Sequence, residues 1–321
     1  MPEFKLPVAR FRFNLRAETP IQFPAYAGST WRGVFGHALR RTVCVTRQPE
    51  CTGCLLQRSC VYSAVFESPA GHGPLLEKVT AAPHPYVLHP LATSGQRYAA
   101  GSPLQVRMTL IGNAIGHLPY LIHALQQAGG RGLGKEDGLY GLLAVEQEAH
   151  LGAGDWQTIH KPSEPLQALS VAAAAIPPAP QTTLHVHFHT PYRAIQDGKL
   201  LRSGRFSFQP FMMGVVRRVS LLQAHHAGLE VEGIDFRALS EQAAAVPVLA
   251  ADLHWHDWAR YSNRQQAKVP MGGLLGSFQL PAEAAQPFWP WLWLGQWVHV
   301  GKGAVMGLGE YTLSEVGIGK G

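Results

Sequence analysis

The segment TWRGVFGHALRR, Thr30–Arg41, places a histidine one helical turn before two arginines. Its apolar residues recur at helical spacing, which predicts a helix with His37, Arg40 and Arg41 away from the core stripe. The like charge of the arginines would keep the imidazole neutral and able to accept a proton. Tyr26, just before this segment, is expected to orient His37 or to act as an acid. The alternative is that His37 is an ordinary surface residue.

These residue types suit the cleavage of RNA without a metal ion. A base removes the proton of a 2′-hydroxyl, which attacks the adjacent phosphate, and an acid protonates the departing 5′ oxygen. The guanidinium groups neutralise the negative charge that develops on the phosphate. The expected product ends in a 2′,3′-cyclic phosphate.

All four cysteines of the chain lie in one short segment, with the spacing C-x6-C-x2-C-x5-C. Four thiolates form a closed tetrahedral site that suits zinc and leaves no position for a substrate. An iron–sulfur cluster uses the same donors, and unliganded thiols are a third possibility. We expect a structural zinc ion, with an iron–sulfur cluster as the alternative, bound by Cys44, Cys51, Cys54 and Cys60.

Three histidines, His185, His187 and His189, alternate along a predicted strand and therefore share one face. Three imidazoles can hold a catalytic zinc ion, which makes a metal-dependent hydrolase a distant alternative. Neither a carboxylate nor a fourth ligand is apparent nearby in the sequence. A polar or RNA-facing sheet surface is the favoured interpretation.

Basic residues recur in the carboxy-terminal half, where Tyr261 lies between Arg260 and Arg264 and offers a ring on which a base can stack. The glycine-rich stretch GKGAVMGLGEY lacks both the P-loop pattern and the strand–glycine–helix order of a dinucleotide site. It is either a turn without a ligand or a loop that approaches a phosphate closely. The residues expected to contact RNA are Arg32, Arg193, Arg217, Arg218, Arg260, Tyr261, Arg264, Lys268, Gly301, Lys302, Gly303, Gly307 and Gly309.

The composition is consistent with an acidic partner. The 321 residues carry a formal net charge of +6, and most of the 27 basic residues are arginine, whose planar group suits phosphates and bases. The chain is long enough for two domains. Because no apolar run is long enough for a signal peptide or a membrane span, we expect a cytoplasmic protein without a membrane partner.

The predicted elements form a repeated pattern. Residues 9–16 alternate as a half-buried strand with a basic outer face, and Ser29 or Thr30 is expected to cap a helix over 31–43. Strands over 83–90 and 104–112, a helix over 118–129 and a strand over 139–147 follow. The order strand, helix, strand, strand, helix, strand is the ferredoxin-like arrangement, which RNA-recognition modules share.

A second copy of this order follows an alanine- and proline-rich linker at 170–181. We expect strands at 182–190, 248–258, 272–280 and from 311, with helices at 208–226 and 288–300. The sequence therefore predicts an α+β fold of two tandem ferredoxin-like domains with antiparallel sheets. Their ranges are 1–169, with a cysteine-rich metal-binding insertion at 44–60, and 182–321, with the glycine-rich loop at 301–309.

Several of these segments resemble a known family. DWARYSNRQQAKVPMGGLLGSFQL and LGQWVHVGKGAVMGLGEYTL resemble the carboxy-terminal domain of CRISPR precursor-crRNA processing endoribonucleases of the RAMP superfamily. YAGSTWRGVFGHALRR resembles the first-helix signature of RAMP proteins, and CTGCLLQRSCVYSAVFE resembles a cysteine-bearing insertion in one branch of them.

The resemblance implies two ferredoxin-like domains, metal-independent cleavage within CRISPR repeat RNA, and a glycine-rich loop that helps to hold the RNA. It also implies a catalytic histidine in the first domain, which His37 matches by region. The implied partners are CRISPR repeat RNA or crRNA and other subunits of a CRISPR effector complex. The alternative function is a non-catalytic RAMP subunit that binds crRNA within such a complex.

Overall fold

The computed structural model describes residues 4–69, 82–90, 95–134, 137–196, 198–229, 233–262 and 267–316. The chain divides into two compact units. The N-terminal unit contains Lys5–Ala174 and Leu221–Leu229, and the C-terminal unit contains Met1–Phe4, Ala175–Ser220 and Glu230–Gly321. Within the described ranges, no helix has the length and apolar character needed to cross a bilayer.

Regular structure alternates between strands and helices along the whole chain. The strands are β1 Val8–Ala17, β2 Ile21–Gln22, β3 Tyr86–Pro90, β4 Arg97–Tyr98, β5 Pro103–Ile111, β6 Tyr140–Glu148, β7 Trp156–His160, β8 Thr183–Tyr192, β9 Ile195–Gln196, β10 Lys199–Leu200, β11 Ala250–His256, β12 Ala259–Ser262, β13 Ala267–Pro270, β14 Gly273–Pro281 and β15 Tyr311–Val316. The helices are α1 Ala27–Val43, α2 Leu118–Gly129, α3 Phe208–His226, α4 Phe236–Ala245, α5 Ala282–Ala285 and α6 Trp289–Val298.

The N-terminal unit is built on an antiparallel sheet with the strand order β3-β5-β1-β6-β7. Without the edge strand β7, this is the strand order of a ferredoxin-like sheet. Phe11, Phe13 and Leu15 alternate along β1 and are buried. Helices α1 and α2 pack against each other and against this sheet. The alternation predicted for residues 9–16 is confirmed.

The outer face of β1 is less basic than its sequence indicates. Arg10 donates two hydrogen bonds to the Glu148 carboxylate, at 3.0 and 2.8 Å, and Arg12 lies 2.6 Å from the Glu146 carboxylate. The guanidinium of Arg12 also lies 4.5 Å from the ring centroid of Trp156. These arginines are therefore neutralised inside the unit.

The C-terminal unit repeats the arrangement with a four-stranded antiparallel sheet of order β11-β14-β8-β15. Aromatic rings fill its core: the rings of Phe188 and Tyr192 stack at 4.9 Å, and Phe211 and Phe278 contact them edge-on or tilted. The prediction of two tandem ferredoxin-like folds with antiparallel sheets is confirmed.

Several boundaries and elements differ from the prediction. Helix α1 begins at Ala27, so Ser29 and Thr30 lie inside its first turn and neither caps it. Ala27 and Gly28 are small enough to be buried in that first turn, which allows the earlier start. The edge strand β7, helix α4 and the hairpins β9–β10 and β12–β13 were not predicted.

Candidate functional site

Helix α1 has three faces with different surroundings. Trp31, Phe35 and Leu39 are at most 1% exposed and form the face that packs into the core. The spacing of these residues, at four-residue intervals, is the apolar stripe expected of a helix that covers a sheet. The polar residues of α1 for which the sequence predicts a function lie on the other two faces.

A second face of α1 holds the cysteine segment. Phe66, in a short π-helical turn after the cysteines, lies so close to Gly36 that a Cβ atom there would be 2.6 Å from its ring. The guanidinium of Arg32 lies 5.0 Å from the ring centroid of Phe66. Gly36 is therefore a packing glycine, and Arg32, expected to contact RNA, is occupied by this aromatic contact.

Arg40 lies on the same face and stabilises the cysteine segment. Its guanidinium donates hydrogen bonds to the carbonyl oxygens of Gln48 and of Pro49, the latter at 2.7 Å, and lies 5.6 Å from the ring centroid of Tyr62. A guanidinium that is bound in this way is not directed towards the face of His37. The expectation that Arg40 acts together with His37 is therefore not supported by its contacts.

The third face of α1 is open to solvent and contains Gly33, His37 and Arg41, which follow one another at four-residue intervals and are all exposed. A Cβ atom at Gly33 would meet nothing within 4 Å. We call these three residues the exposed stripe. Of the predicted catalytic residues, His37 and Arg41 are therefore brought together.

Tyr26 is not brought to His37. It is the N-cap residue of α1, so it lies about 16 Å from His37 along the helix axis at about 1.5 Å per residue. The two side chains together are too short to cover that separation. The prediction that Tyr26 orients His37 was wrong because it assumed a helix that begins only at Trp31.

The four cysteines line one cavity of about 640 Å³. Burial raises the pKa of the Cys51 thiol, and a hydrogen bond with the Thr46 hydroxyl lowers the pKa of Cys54. No three of the sulfur atoms lie within 4.8 Å of one another among the described residues. The four thiol donors and their shared cavity fit zinc. In a closed tetrahedral site with Zn–S bonds of about 2.3 Å, however, neighbouring sulfur atoms are about 3.8 Å apart, so the thiols would have to move closer together to bind the ion.

In the C-terminal unit, the backbone of the glycine-rich loop is hydrogen-bonded to the end of strand β8 and to itself. The amide of Lys302 donates to the carbonyl of Arg193 at 2.8 Å, the amide of Gly309 to that of Pro191 at 3.1 Å, and the amide of Gly307 to that of Ala304 at 2.9 Å. Gly307 and Gly309 are also buried. These amides are therefore not available to a phosphate, contrary to the expectation for this loop.

The glycines serve the turn itself. Gly301, Gly303, Gly307 and Gly309 all have φ values between 68° and 93°, which side-chain-bearing residues rarely adopt. A Cβ atom at Gly309 would lie 1.8 Å from the Val300 carbonyl oxygen. The side chain of Lys302 is exposed, so it presents the positive charge of this loop to solvent.

A basic region surrounds the base of hairpin β12–β13. Arg193 donates to the carbonyl of Gly272 at 3.1 Å, and the guanidinium of Arg202 lies 3.5 Å from the ring centroid of Trp255. The sequence indicates Arg202 as one of several basic residues of this half, but its contact with Trp255 was not predicted, because the two residues are distant along the chain. Arg260 and Tyr261 are in β12 and Lys268 is in β13, but their side chains lie outside the described residues, as does Arg264 entirely.

Two adjacent arginines of α3 have different environments. Arg217 is exposed, whereas the guanidinium of Arg218 donates to the carbonyl of Val298 at 2.7 Å. Burial lowers the pKa of Arg218 to about 10. Arg218 is therefore an internal link between α3 and the end of α6, and Arg217 is the one exposed to solvent.

The histidine row does not form a metal site. The ring centroids of His185 and His187 are 6.3 Å apart, and those of His187 and His189 are 4.7 Å apart. Since each strand residue adds about 3.3 Å, the Cα atoms of the first and third histidines are about 13 Å apart. These three described histidines do not bring one ring nitrogen each within 4.8 Å of the others, so they cannot share an ion. His189 instead pairs with the Thr312 hydroxyl at 2.8 Å, so the metal-dependent hydrolase interpretation fails.

Two tandem ferredoxin-like units with antiparallel sheets define the fold class of the chain. Residues 186–311 match the family model of the CRISPR-associated endoribonuclease Cas6, and residues 6–173 match a second family model, AF_1859_N, described as an N-terminal domain. The C-terminal part of the chain, residues 186–311, therefore belongs to the Cas6 family of CRISPR-associated endoribonucleases. No curated protein matches it.

Solved structures show the same fold over the whole chain. Thermus thermophilus Cas6 is 16% identical over 96% of this chain and 99% of that one, with a TM-score of 0.53. A product complex of that Cas6 is 18% identical over the same shares, with a TM-score of 0.55. A partial Cas6-RT-Cas1–Cas2 complex is 13% identical over 98% of this chain and only 47% of that one, with a TM-score of 0.57.

The division of α1 into faces predicts opposite effects of one substitution at two glycines. Gly33→Ala should stabilise the protein by up to about 1 kcal/mol, since alanine favours the helix and the site is open. Gly36→Ala should instead lower the free energy of unfolding by about 1–3 kcal/mol, because the new methyl group overlaps Phe66. Urea unfolding of both variants measures the difference, and equal stability would contradict the Phe66 contact.

Proposed function

We propose that this chain binds CRISPR repeat RNA and cleaves it without a metal ion. His37 accepts the proton of a 2′-hydroxyl, the 2′ oxygen forms a bond to the adjacent phosphorus, and the bond from phosphorus to the 5′ oxygen breaks. The products are a 2′,3′-cyclic phosphate and a 5′-hydroxyl. Because Tyr26 is distant from His37, the 5′ oxygen takes its proton from water at this open face.

The exposed stripe of α1 is the observation that carries the proposal. It is the face of the helix that neither the core nor the cysteine segment occupies, so a phosphate can reach His37 and Arg41 together. Arg41 lies one turn from His37, which suits it to neutralise the phosphate while His37 removes the proton. The family match supports RNA as the substrate.

The C-terminal unit is proposed to hold the RNA. Arg193, Arg217 and Lys302 present positive charge there, together with the hairpin that contains Arg260, Tyr261 and Lys268. Contacts of this kind neutralise phosphates and give salt-dependent affinity. Because one solved relative is part of a complex with RT, Cas1 and Cas2, we also propose that this chain assembles with other CRISPR proteins.

Cleavage in EDTA tests the roles assigned to metal and to His37. Wild-type protein should cut its repeat RNA in EDTA, and His37→Ala should cut it about 100-fold more slowly or worse, which is the usual loss of a general base. The rates come from end-labelled RNA in single-turnover assays, and the product ends are mapped for cyclic phosphate.

His150→Ala is the matched control, because the His150 side chain is 82% exposed and lies in the loop after β6, paired with Asp155. It should cut at the wild-type rate. Strict dependence of the wild type on magnesium would refute the metal-free mechanism. RNA binding without any cut would support the non-catalytic subunit instead.

We further propose that the four cysteines hold a structural zinc ion that fixes the cysteine segment against α1. The shared cavity and the four thiol donors support this assignment. The ion would have no catalytic role, because four thiolates complete its coordination. Arg40 and Phe66 would then be held in place by a closed segment on the face of α1 next to the exposed stripe.

Elemental analysis tests the zinc assignment. Purified wild-type protein should contain about one zinc per chain, and Cys51→Ser should lose most of it and unfold at a lower temperature, since such sites contribute directly to folding. Ser59→Ala, in the same segment, should keep both. Iron with acid-labile sulfide would show that the cluster is iron–sulfur, and a metal-free wild type would refute both sites.

A further inference from the structure

A cavity of about 190 Å³ lies between α1 and α2. The lining residues from α1 are Ala38, Arg41 and Thr42, and those from α2 and the turn after it are His123, Gln127 and Arg131. Only Arg41 was singled out from the sequence. The other polar residues of the lining take no part in the proposed cleavage reaction.

The two helices present these residues in matched rows. His123, Gln127 and Arg131 follow at four-residue intervals, so they form one line along α2 and its final turn. The Arg131 amide donates to the carbonyl of Ala128 at 3.0 Å, which continues that line past the end of the helix. Gly129 lets the end of α2 pack directly against strand β6, since a Cβ atom there would lie 1.9 Å from the Tyr140 carbonyl oxygen.

The chemistry of the lining suits an anion. Two guanidinium groups, an imidazole and an amide in this lining can donate a hydrogen bond to a ligand. The Thr42 hydroxyl already donates to the Ala38 carbonyl at 3.0 Å. Among the described residues that line the cavity, none is acidic. A phosphate oxygen is the acceptor that such a set of donors binds best, and arginine forks match it in geometry.

Arg41 connects this cavity with its surroundings. It also lines a neighbouring cavity of about 360 Å³, together with Arg40 and Arg47. It belongs to the exposed stripe as well, about 6 Å along the helix from His37. A phosphate held in the α1–α2 cavity is therefore close to the phosphate that the 2′ oxygen would attack once His37 has removed its proton.

We propose that the α1–α2 cavity binds one backbone phosphate of the RNA beside the scissile one, through Arg41, His123, Gln127 and Arg131. The inference rests on the proposed function. Arg131 and His123 are positioning residues here: they hold the strand so that one particular 2′-hydroxyl lies at His37. The cavity thus contributes to where the RNA is cut.

The test neutralises RNA phosphates one at a time as methylphosphonates and measures binding by wild type and by Arg131→Gln. For wild type, one position near the cut should weaken binding by about tenfold, the effect of losing a charge-assisted hydrogen bond. In Arg131→Gln that same position should have little further effect, because the partner is already gone. The slope of log affinity against log salt should also fall by about 0.7.

Two further variants make the test decisive. His123→Gln should lose the effect of the same position, and Arg237→Gln, an exposed arginine of α4 that pairs with Glu241 at 3.1 Å, should respond as wild type does. Thermal unfolding confirms that each variant is folded. If every position affects Arg131→Gln and wild type equally, the cavity does not bind a phosphate.

Cleavage of the unmodified RNA tests the proposed function separately. If wild type cuts this RNA in EDTA but each methylphosphonate weakens binding equally in wild type and in Arg131→Gln, only the proposed phosphate site is refuted. Wild type that neither binds nor cuts it overturns both.

Discussion

The contact between the Phe66 ring and the backbone of Gly36 determines how helix α1 is used. A glycine at this position lets the cysteine segment lie directly against the helix, and Arg32 and Arg40 then close over its aromatic rings. With one face in the core and another under this segment, a single face remains for solvent. His37 and Arg41 lie on that face.

This division separates arginines that the sequence places together. Arg40 and Arg41 are neighbours, yet one binds the carbonyl of Pro49 and the other is exposed. Arg217 and Arg218 differ in the same way, since only Arg218 is an internal donor. Successive helical residues differ by about 100° in direction, so charge alone does not indicate which of two neighbours reaches a ligand.

Much of the fold was predictable because it depends on local periodicity. The alternation along β1 and the apolar spacing of α2 and α3 placed these elements almost at their observed bounds. The glycines at 301–309 form a turn, which was one of the two interpretations of the sequence, but the amides of Gly307 and Gly309, expected to contact RNA, bind the chain itself. Which carbonyl accepts from Lys302 depends on the distant residue Arg193, and local sequence contains no signal for such a pairing.

The candidate site was predictable only in part, for the same reason. His37 and Arg41 follow from helical spacing, whereas the separation of Tyr26 depends on where the helix begins. The row of His123, Gln127 and Arg131 has a visible four-residue spacing, but its relation to Arg41 appears only when α1 and α2 pack together. Side chains on one element can be grouped from sequence, and those on two elements require the fold.

In the proposed reaction the RNA supplies its own nucleophile, and no metal-bound water takes part. The most direct measurement uses repeat RNA with a single 2′-deoxy nucleotide immediately 5′ to the cut. Wild-type protein should bind this RNA as tightly as the unmodified RNA and should not cut it in EDTA or in magnesium. Cleavage of the deoxy RNA at the same phosphate would contradict the account, because it would require a nucleophile other than the 2′-hydroxyl.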